Sequence, residues 1–499
     1  MNKTLICFVV APLLALAAVL PAIAAPRNVI LIVTDDQSQT LGCYGDTAAQ
    51  TPHLDALAAD GAMYRNAFAT TASCSASRSV ILTGLHNHAN GQYGHTHHFH
   101  KFQSYDNIVS LPRYLEAAGY RTARCGKYHV APEEVYQFGT AIRGNTRNPY
   151  QMADQCHDFL TAESDQPFFL YFCTSDPHRG GGFARELDHA PDRFGNPAPG
   201  RHYPGIDEVI YDPADVVVPG FLPDTPACRA ELAQYYQSQA RIDQGVGHLF
   251  DMLKEAGLWE DTLIIYIADH GMAFPGAKTT VYDGGLRAPL LVRDPYTETR
   301  GTQPDAMISW IDLTPTILDF AGVLDDEGAV RAEVLDAIGI ERVTGQRTGD
   351  VGLGSLHGRS FMPTLSQTET TGWDQIAASH TFHEIQMYYP MRVIQGRQYK
   401  LIWNIAHPLP FPFASDLWAA PTWQRQLELG DDAPYGQWTV GGYVQRPEFE
   451  LFDLTADPFE GNNLAQNPAY AEVLAEMKER LRTEQRRTND PWVMKWEYE

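Results

Sequence analysis

Four short strand-like runs constrain this chain most, because each one stops abruptly at ionisable residues. Residues 29–34 (VILIVT) end in Asp35-Asp36, and residues 120–125 lead into Gly126-Lys127-Tyr128-His129. Residues 167–173 (PFFLYFC) are followed by Asp176-Pro177-His178, and residues 263–268 (LIIYIA) by Asp269-His270-Gly271. Short, continuously apolar segments are the strands of a parallel sheet buried on both faces. Helical stretches separate them: 51–58 with Pro52 in its first turn, 110–119 closed by Gly119, 228–257, and 311–322. Residues 63–69 read as one further strand. The alternation predicts a large doubly wound α/β sheet, mostly parallel, whose ligands bind beyond the C-terminal strand ends.

From about Trp373 the texture changes. Residues 391–394, 398–403 and 450–454 look like antiparallel strands, and 470–486 like a final helix. The expected division is a signal peptide at 1–24, a catalytic domain at 25–372 and a smaller α+β domain with an antiparallel sheet at 373–499. Residues 180–223, rich in Pro, Gly and Asp, form a surface excursion bordering the site, and 325–355 a polar insertion.

Residues 1–24 carry Lys3, an apolar stretch broken by Pro12, and Ala22-Ile23-Ala24 as a small-residue cleavage site. This reads as a cleaved secretory signal and predicts a secreted, periplasmic protein; an uncleaved anchor is the alternative, disfavoured by Pro12 and the short run. The formal net charge of −24 argues against nucleic acid or an anionic membrane as partner. An anionic substrate would need cations gathered in one pocket. Seven cysteines, without metal-type spacing and with an odd number left once Cys7 and Cys74 are set aside, predict few or no disulfides.

Several residues are candidates for chemistry. Cys74-Ser75-Ala76-Ser77-Arg78 puts a thiol and a cation four residues apart, on one face if a helix starts there. Taken alone, Cys74 reads as a buried cysteine at the start of an amphipathic helix. Adjacent carboxylates at Asp35-Asp36 call for a cation or strong donors, unless they form a solvated turn. Lys127 and His129 either point into the same crevice or are exposed polar residues past a strand. The tract from His86 to His100, with His88, His95, His97 and His98, is placed on a loop, where it lines a polar cleft or binds metal.

Assembled in this order, the motifs closely resemble the type I sulfatases of the alkaline phosphatase superfamily. Cys74-x-Ala76-x-Arg78 matches their Cys-x-(Pro/Ala)-x-Arg signature, and Asp35-Asp36, Gly126-Lys127-x-His129, Asp176-Pro177-His178, Asp269-His270-Gly271, Lys278 and Gly284-Gly285-x-Arg287-x-Pro289 follow with the right order and spacing. The resemblance implies oxidation of Cys74 to formylglycine by a dedicated maturation enzyme. It implies a calcium ion held by Asp35, Asp36, Asp269, His270 and an oxygen of modified Cys74. His270 departs from the asparagine of many relatives, so a softer ion is the second choice. Arg78 and Lys127 would position formylglycine and sulfate, Lys278 would bind sulfate, and His129 and His178 would handle protons, with His178 as general acid.

Residues 83–99, 211–247 and 383–392 resemble the sulfamidase branch of that family, the heparan N-sulfatases. That likeness implies an N-sulfated glucosamine of heparin or heparan sulfate as substrate, with His383 and Glu384 recognising the sugar or serving only structure. A homodimer is left open. Alternatives are an O-sulfatase on a related glycan, a phosphonate or phosphodiester hydrolase, and a sulfated-glycan binder in which Cys74 stays unmodified.

Overall fold

The computed structural model describes residues 27–180, 186–187, 190–198, 200–339 and 354–498. The expected signal segment, and parts of the 180–223 excursion and the 325–355 insertion, lie outside the described residues. The four strand-like runs are adjacent strands of one seven-stranded sheet. We number its strands β1 (Asn28–Thr34), β2 (Ala62–Met63), β3 (Arg121–Gly126), β4 (Thr140–Ile142), β5 (Phe168–Cys173), β6 (Thr262–Ala268) and β7 (Leu290–Arg293). Their spatial order is β2-β7-β6-β1-β5-β3-β4. β6, β1, β5, β3 and β4 are parallel, while β7 and β2 close one edge antiparallel.

Alternation along β1 explains why its run is apolar throughout. Val29, Leu31 and Val33 pack with Val80, Ile81, Leu115 and Ile317 on one side. Ile30 and Ile32 pack with Leu54, Met152, Ile242 and Leu249 on the other. Both faces are covered by helices, as a doubly wound sheet requires. The helix Pro226–Glu255 is the longest element, and Gly257 takes the left-handed φ of 69° just beyond it.

Two local expectations are corrected. Residues 63–69 do not form one strand: Ala62–Met63 pairs with β7, and Ala67–Phe68 pairs with Ile308–Ser309 in a separate two-stranded sheet. The segment changes partner after two residues, so neither pairing extends. The histidine-rich tract is not all loop, because Asn87–Asn90 forms a single helical turn closed by Gly91 at φ 91°. Its remaining histidines do lie on irregular backbone.

Toward the C-terminus, Gln375–His380, Met391–Gly396, Tyr399–Asn404 and Phe449–Asp453 make a four-stranded antiparallel sheet in that order. One face packs Ile394, Leu401, Trp403 and Leu451 against Met477 and Leu481 of the helix Ala471–Arg487. The opposite face shares a core with the first sheet region, bringing Val393, Ile402 and Phe452 together with Phe68, Tyr236 and Tyr282. No helix among the described residues is long and apolar enough to cross a membrane.

His380 ends the first of these strands fully enclosed, with neither ring nitrogen hydrogen-bonded. Burial, reinforced by Arg446 and Arg392, pushes its imidazole down to about 3. The folded state therefore holds it neutral while the unfolded chain binds a proton below about pH 6.5. Its contribution is complete above that value and declines by about 1.4 kcal/mol per pH unit as pH falls from about 6.5 toward 3. Replacing it, as His380→Leu, should shrink the drop in unfolding temperature between about pH 7.5 and about pH 5, whatever its effect at neutral pH. Melting curves of both proteins at the two pH values check this.

Candidate active site

Strand register brings the polar residues to one level. Past the last ladder pairs, Asp269 N–H donates to Thr34 O (3.0 Å), Asp35 N–H to Asp176 O (3.0 Å) and Lys127 N–H to Cys173 O (2.8 Å). The four strand ends thus stay linked just past the ladder before they diverge. Gly126 permits this at φ 90°, where an added Cβ would sit 2.0 Å from Cys173 O. Asp36 and His129 adopt left-handed φ values of 62° and 53°. Such values are uncommon for residues other than glycine, and here two of them fall at the strand ends that carry the chemistry.

Cys74 is the first residue of the helix Cys74–Thr83, every residue of which is buried. One turn on, Arg78 reaches back under the strand ends. Its Nη2 donates to Asp35 Oδ1 (3.2 Å) and its Nε to Asp269 Oδ2 (3.1 Å), with no solvent exposure on any of the three side chains. Ser77 Oγ donates to Asp269 O at 2.5 Å. Lys127 Nζ contacts the second Asp35 oxygen. Lys278 Nζ lies 2.9 Å from Asp36 Oδ2 and 3.2 Å from His178 Nε2. Its loop is held close by Gly271, whose N–H donates to Gly285 O (2.8 Å) and where a Cβ would meet Gly284 O at 2.0 Å.

The donor set fits a metal ion. Ligand atoms of Asp36, Cys74, Asp269 and His270 lie within 4.8 Å of one another, all buried, and Asp35, Asp36 and His178 form an overlapping group. His270 Nδ1 is 2.9 Å from Gly271 O, so we assign its proton there. That leaves the Nε2 lone pair facing Asp36 Oδ1 (3.2 Å) and Cys74 Sγ (3.4 Å). Buried carboxylates are the ligands of a hard cation, and the imidazole admits a softer one. Both Asp35 oxygens are engaged by Arg78 and Lys127, so this carboxylate is shared between cations.

Electrostatics separate the roles. Burial pushes the Cys74 thiol well above its ordinary value despite Lys127 and Lys278 nearby, which leaves it protonated and a poor nucleophile as a thiol. Burial opposes ionisation of Asp35, but the charges of Lys127, His178 and Arg78 hold it well below the usual carboxylate range. Asp269, buried beside Asp35, is pushed up to about 6. Lys278 stays charged against its burial because Asp36 and Asp416 face it. His178 is held far down by burial and by Lys278. Arg78, Lys127 and Lys278 gather three cations at the strand ends of this acidic protein, each of them paired with carboxylates of the same site.

The sulfatase family model matches residues 27–323, well over half the chain. The chain belongs to the sulfatase family. It is 38% identical over 481 residues to human N-sulphoglucosamine sulphohydrolase, covering 94% of this chain and 92% of that protein. An ulvan-active sulfatase of Formosa agariphila is 26% identical over 485 residues, covering 91% of this chain and 74% of that protein. Among solved structures, one in complex with its substrate D-glucosamine-2-N,6-O-disulfate superposes with a TM-score of 0.64 at 21% identity, over 94% of this chain and 99% of that one. The phosphonate monoester hydrolase of Agrobacterium radiobacter gives 0.62 at 20% identity, over 93% and 96%. These two report the fold, the expected large sheet with its C-terminal antiparallel companion. The sulfatase is a hydrolase of sulfate esters or sulfamides.

The expected site residues of this sulfatase converge with two differences of position. Cys74, Arg78, Lys127, His178, Lys278, Asp35, Asp36, Asp269 and His270 lie in one linked network. His383 reaches it from the C-terminal region, where its Nδ1 is 2.9 Å from Ser73 Oγ, next to Cys74. His129 instead faces the histidine tract, with its Nε2 against His95 and His97. Glu384 accepts from Ser415 Oγ (2.7 Å), at the edge of the site. Asp416, absent from the sequence reading, places Oδ2 2.9 Å from Lys278 Nζ across 138 residues of chain. No motif surrounds it, so no sequence signal marks it. Asp176 turns away from the site and is clamped by Arg147 (2.7 Å) and Arg241 (2.7 Å), which anchors the turn bearing His178.

Arg78 is the buried partner of two acids. Arg78→Ala would leave both carboxylates without it and should cost about 3–5 kcal/mol, with turnover lost. Arg78→Lys, which can meet one acid but not hold both in a fork, should recover only part of the stability. Denaturant unfolding midpoints of the three proteins check the order.

Proposed function

We propose that this sulfatase removes the sulfate from the amine of an N-sulfated glucosamine at the non-reducing end of heparin or heparan sulfate fragments. The observation that carries this reading is the 38% identity to human N-sulphoglucosamine sulphohydrolase along nearly the whole length of both chains. Export to a periplasm through cleavage of residues 1–24 and modification by a formylglycine-generating enzyme go with it.

Oxidised to formylglycine and hydrated by one water, residue 74 would supply geminal hydroxyls, one to attack sulfur as the S–N bond to the amine breaks and the other to lose its proton and expel sulfate with return of the aldehyde. A calcium ion held by Asp35, Asp36, Asp269, His270 and that residue would neutralise charge on the sulfonyl oxygens. The residues of the chain do the rest. Arg78 fixes Asp35 and Asp269 in place. Lys127 and Lys278 offer ammonium donors to sulfate oxygens, where charge grows as the S–N bond breaks. An amine leaves poorly unless it takes a proton, and His178 is the general acid. It is neutral in the empty pocket, pressed by the Lys278 charge; a sulfamate anion seated on Lys278 offsets that charge and raises its proton affinity. His129 has an enclosed Nδ1 with no protein partner and serves as the second proton-handling group. His383 and Glu384 border the sugar, with Asp416 beside them.

Enzyme carrying the modification should release sulfate from glucosamine N-sulfate and leave glucosamine 6-O-sulfate intact. Release from the 6-O-sulfate alone would make it an O-sulfatase, and phosphonate ester hydrolysis above either would move it to that activity. Mass analysis of the peptide containing Cys74 should show conversion of CH2SH to CHO; an unmodified thiol in active-site preparations from the native host would leave a binder without turnover. Cys74→Ala should lack turnover while still binding the sulfated sugar in calorimetry.

Removing calcium with a chelator should lower the unfolding temperature as well as the activity, because three carboxylates then lie together in a closed site. Calcium should restore both, measured by scanning calorimetry alongside the sulfate assay. Restoration by zinc in preference to calcium would point to the softer ion.

A further inference from the structure

The histidine tract has no role in the reaction proposed above, and the fold brings it a further histidine from elsewhere in the chain. His95 and His97 lie on the irregular stretch beyond Asn87–Asn90, and His129 comes from the loop after β3, 32 residues on from His97. His129 Nε2 is 2.7 Å from His97 Nδ1 and 3.1 Å from His95 Nδ1. The three ring centroids form a nearly equilateral triangle with sides of 4.8, 4.8 and 4.9 Å. All three ligand atoms fall within 4.8 Å of one another.

Hydrogen bonding alone does not account for this convergence. A neutral imidazole nitrogen carries either one proton or one lone pair, so His129 Nε2 can complete one such bond and not two. A cation at the centre would engage all three lone pairs at once. Tetrahedral zinc, with bonds of about 2.0–2.1 Å, holds its ligand nitrogens about 3.3 Å apart, close to the 3.1 Å between His129 and His95 and wider than the 2.7 Å between His129 and His97, so filling the site would spread that pair slightly. His95 also has the outer support usual for a metal-bound imidazole, because its Nε2 is 2.9–3.0 Å from the ring nitrogens of His383.

We infer that His95, His97 and His129 form a second metal site, selective for a borderline transition ion such as Zn2+, and that filling it inhibits the enzyme. Three imidazoles without a carboxylate disfavour calcium, so this centre does not compete with the first for calcium. The inhibitory half rests on the proposed proton role of His129. A metal on Nε2 locks the ring proton on Nδ1, the nitrogen that has no protein partner, and leaves the ring unable to accept a proton there. A fourth coordination position stays open to water.

The test uses calcium-loaded enzyme and the metals alone. Co2+ should give the visible absorption of a low-coordinate nitrogen site, and calorimetry should show one Zn2+ bound per chain. Micromolar Zn2+ should suppress sulfate release, and a zinc-selective chelator should restore it with calcium in place. His97 is partly exposed and outside the reacting groups, so His97→Ala and His97→Gln should fold and turn over without zinc, bind Zn2+ about 100-fold more weakly and resist inhibition. Equal zinc binding by wild type and both variants, or no stoichiometric binding by wild type, would overturn the site. One zinc bound through His97 with turnover unchanged would overturn the inhibition and the proton role of His129, and this binding readout stands whichever sugar proves to be the substrate.

Discussion

The site is built around one interaction, the Arg78 guanidinium locked between Asp35 and Asp269 with all three side chains sealed from water. Two carboxylates at adjacent strand ends repel each other and are costly to bury, and the strands could not terminate level without a cation between them. Arg78 is the residue type for this place, because its planar fork meets two acids at once and stays charged under burial. Since Arg78 is one turn beyond Cys74, the same pair of contacts also fixes the helix start. The position of Cys74 is therefore set by the geometry of the sheet.

That coupling explains why so much of the site is legible in the sequence. A parallel sheet delivers consecutive strand ends to one edge, so the acids after β1 and β6, the lysine after β3 and the histidine after β5 must meet if the four runs are neighbours. Run length and apolarity suffice to place them. Asp176 shows the limit: it belongs to the same motif as His178, yet it turns to Arg147 and Arg241 and acts on the site only through the turn it anchors. Spacing identifies a strand end and says nothing of which side chains look inward.

The failures have a different origin. Residues 63–69 have strand composition, but pairing is decided by which neighbours are present, and two partners in different sheets divide the segment. Asp416 reaches Lys278 from the short helix Ser415–Trp418, 138 residues away, with no periodicity or motif to announce it. The histidine tract stands out in the sequence but has no second cluster of ligands nearby in the chain. His129, carried in by β3, joins it, and only the fold makes the association.

The division of labour between the two regions follows from where each group is anchored. Groups on strand ends and on the helix Cys74–Thr83 inherit the rigidity of a core buried on both faces, and they are the ones whose distances from sulfur would have to be held closely. His383 and Glu384 come from a loop of the C-terminal region and Asp416 from the short helix Ser415–Trp418, beside a core that the antiparallel sheet shares with the first region. Such loops can change in sequence without disturbing the ladder of Asp35, Lys127 and Asp269. Asp416 nonetheless reaches across to Lys278, where it adds a negative charge beside the ammonium that an anionic substrate must approach. A sulfate arriving there has to displace or share that contact. The carboxylate thus raises the cost of bringing an anion to this ammonium, a cost that further bonds elsewhere on the ligand would have to offset.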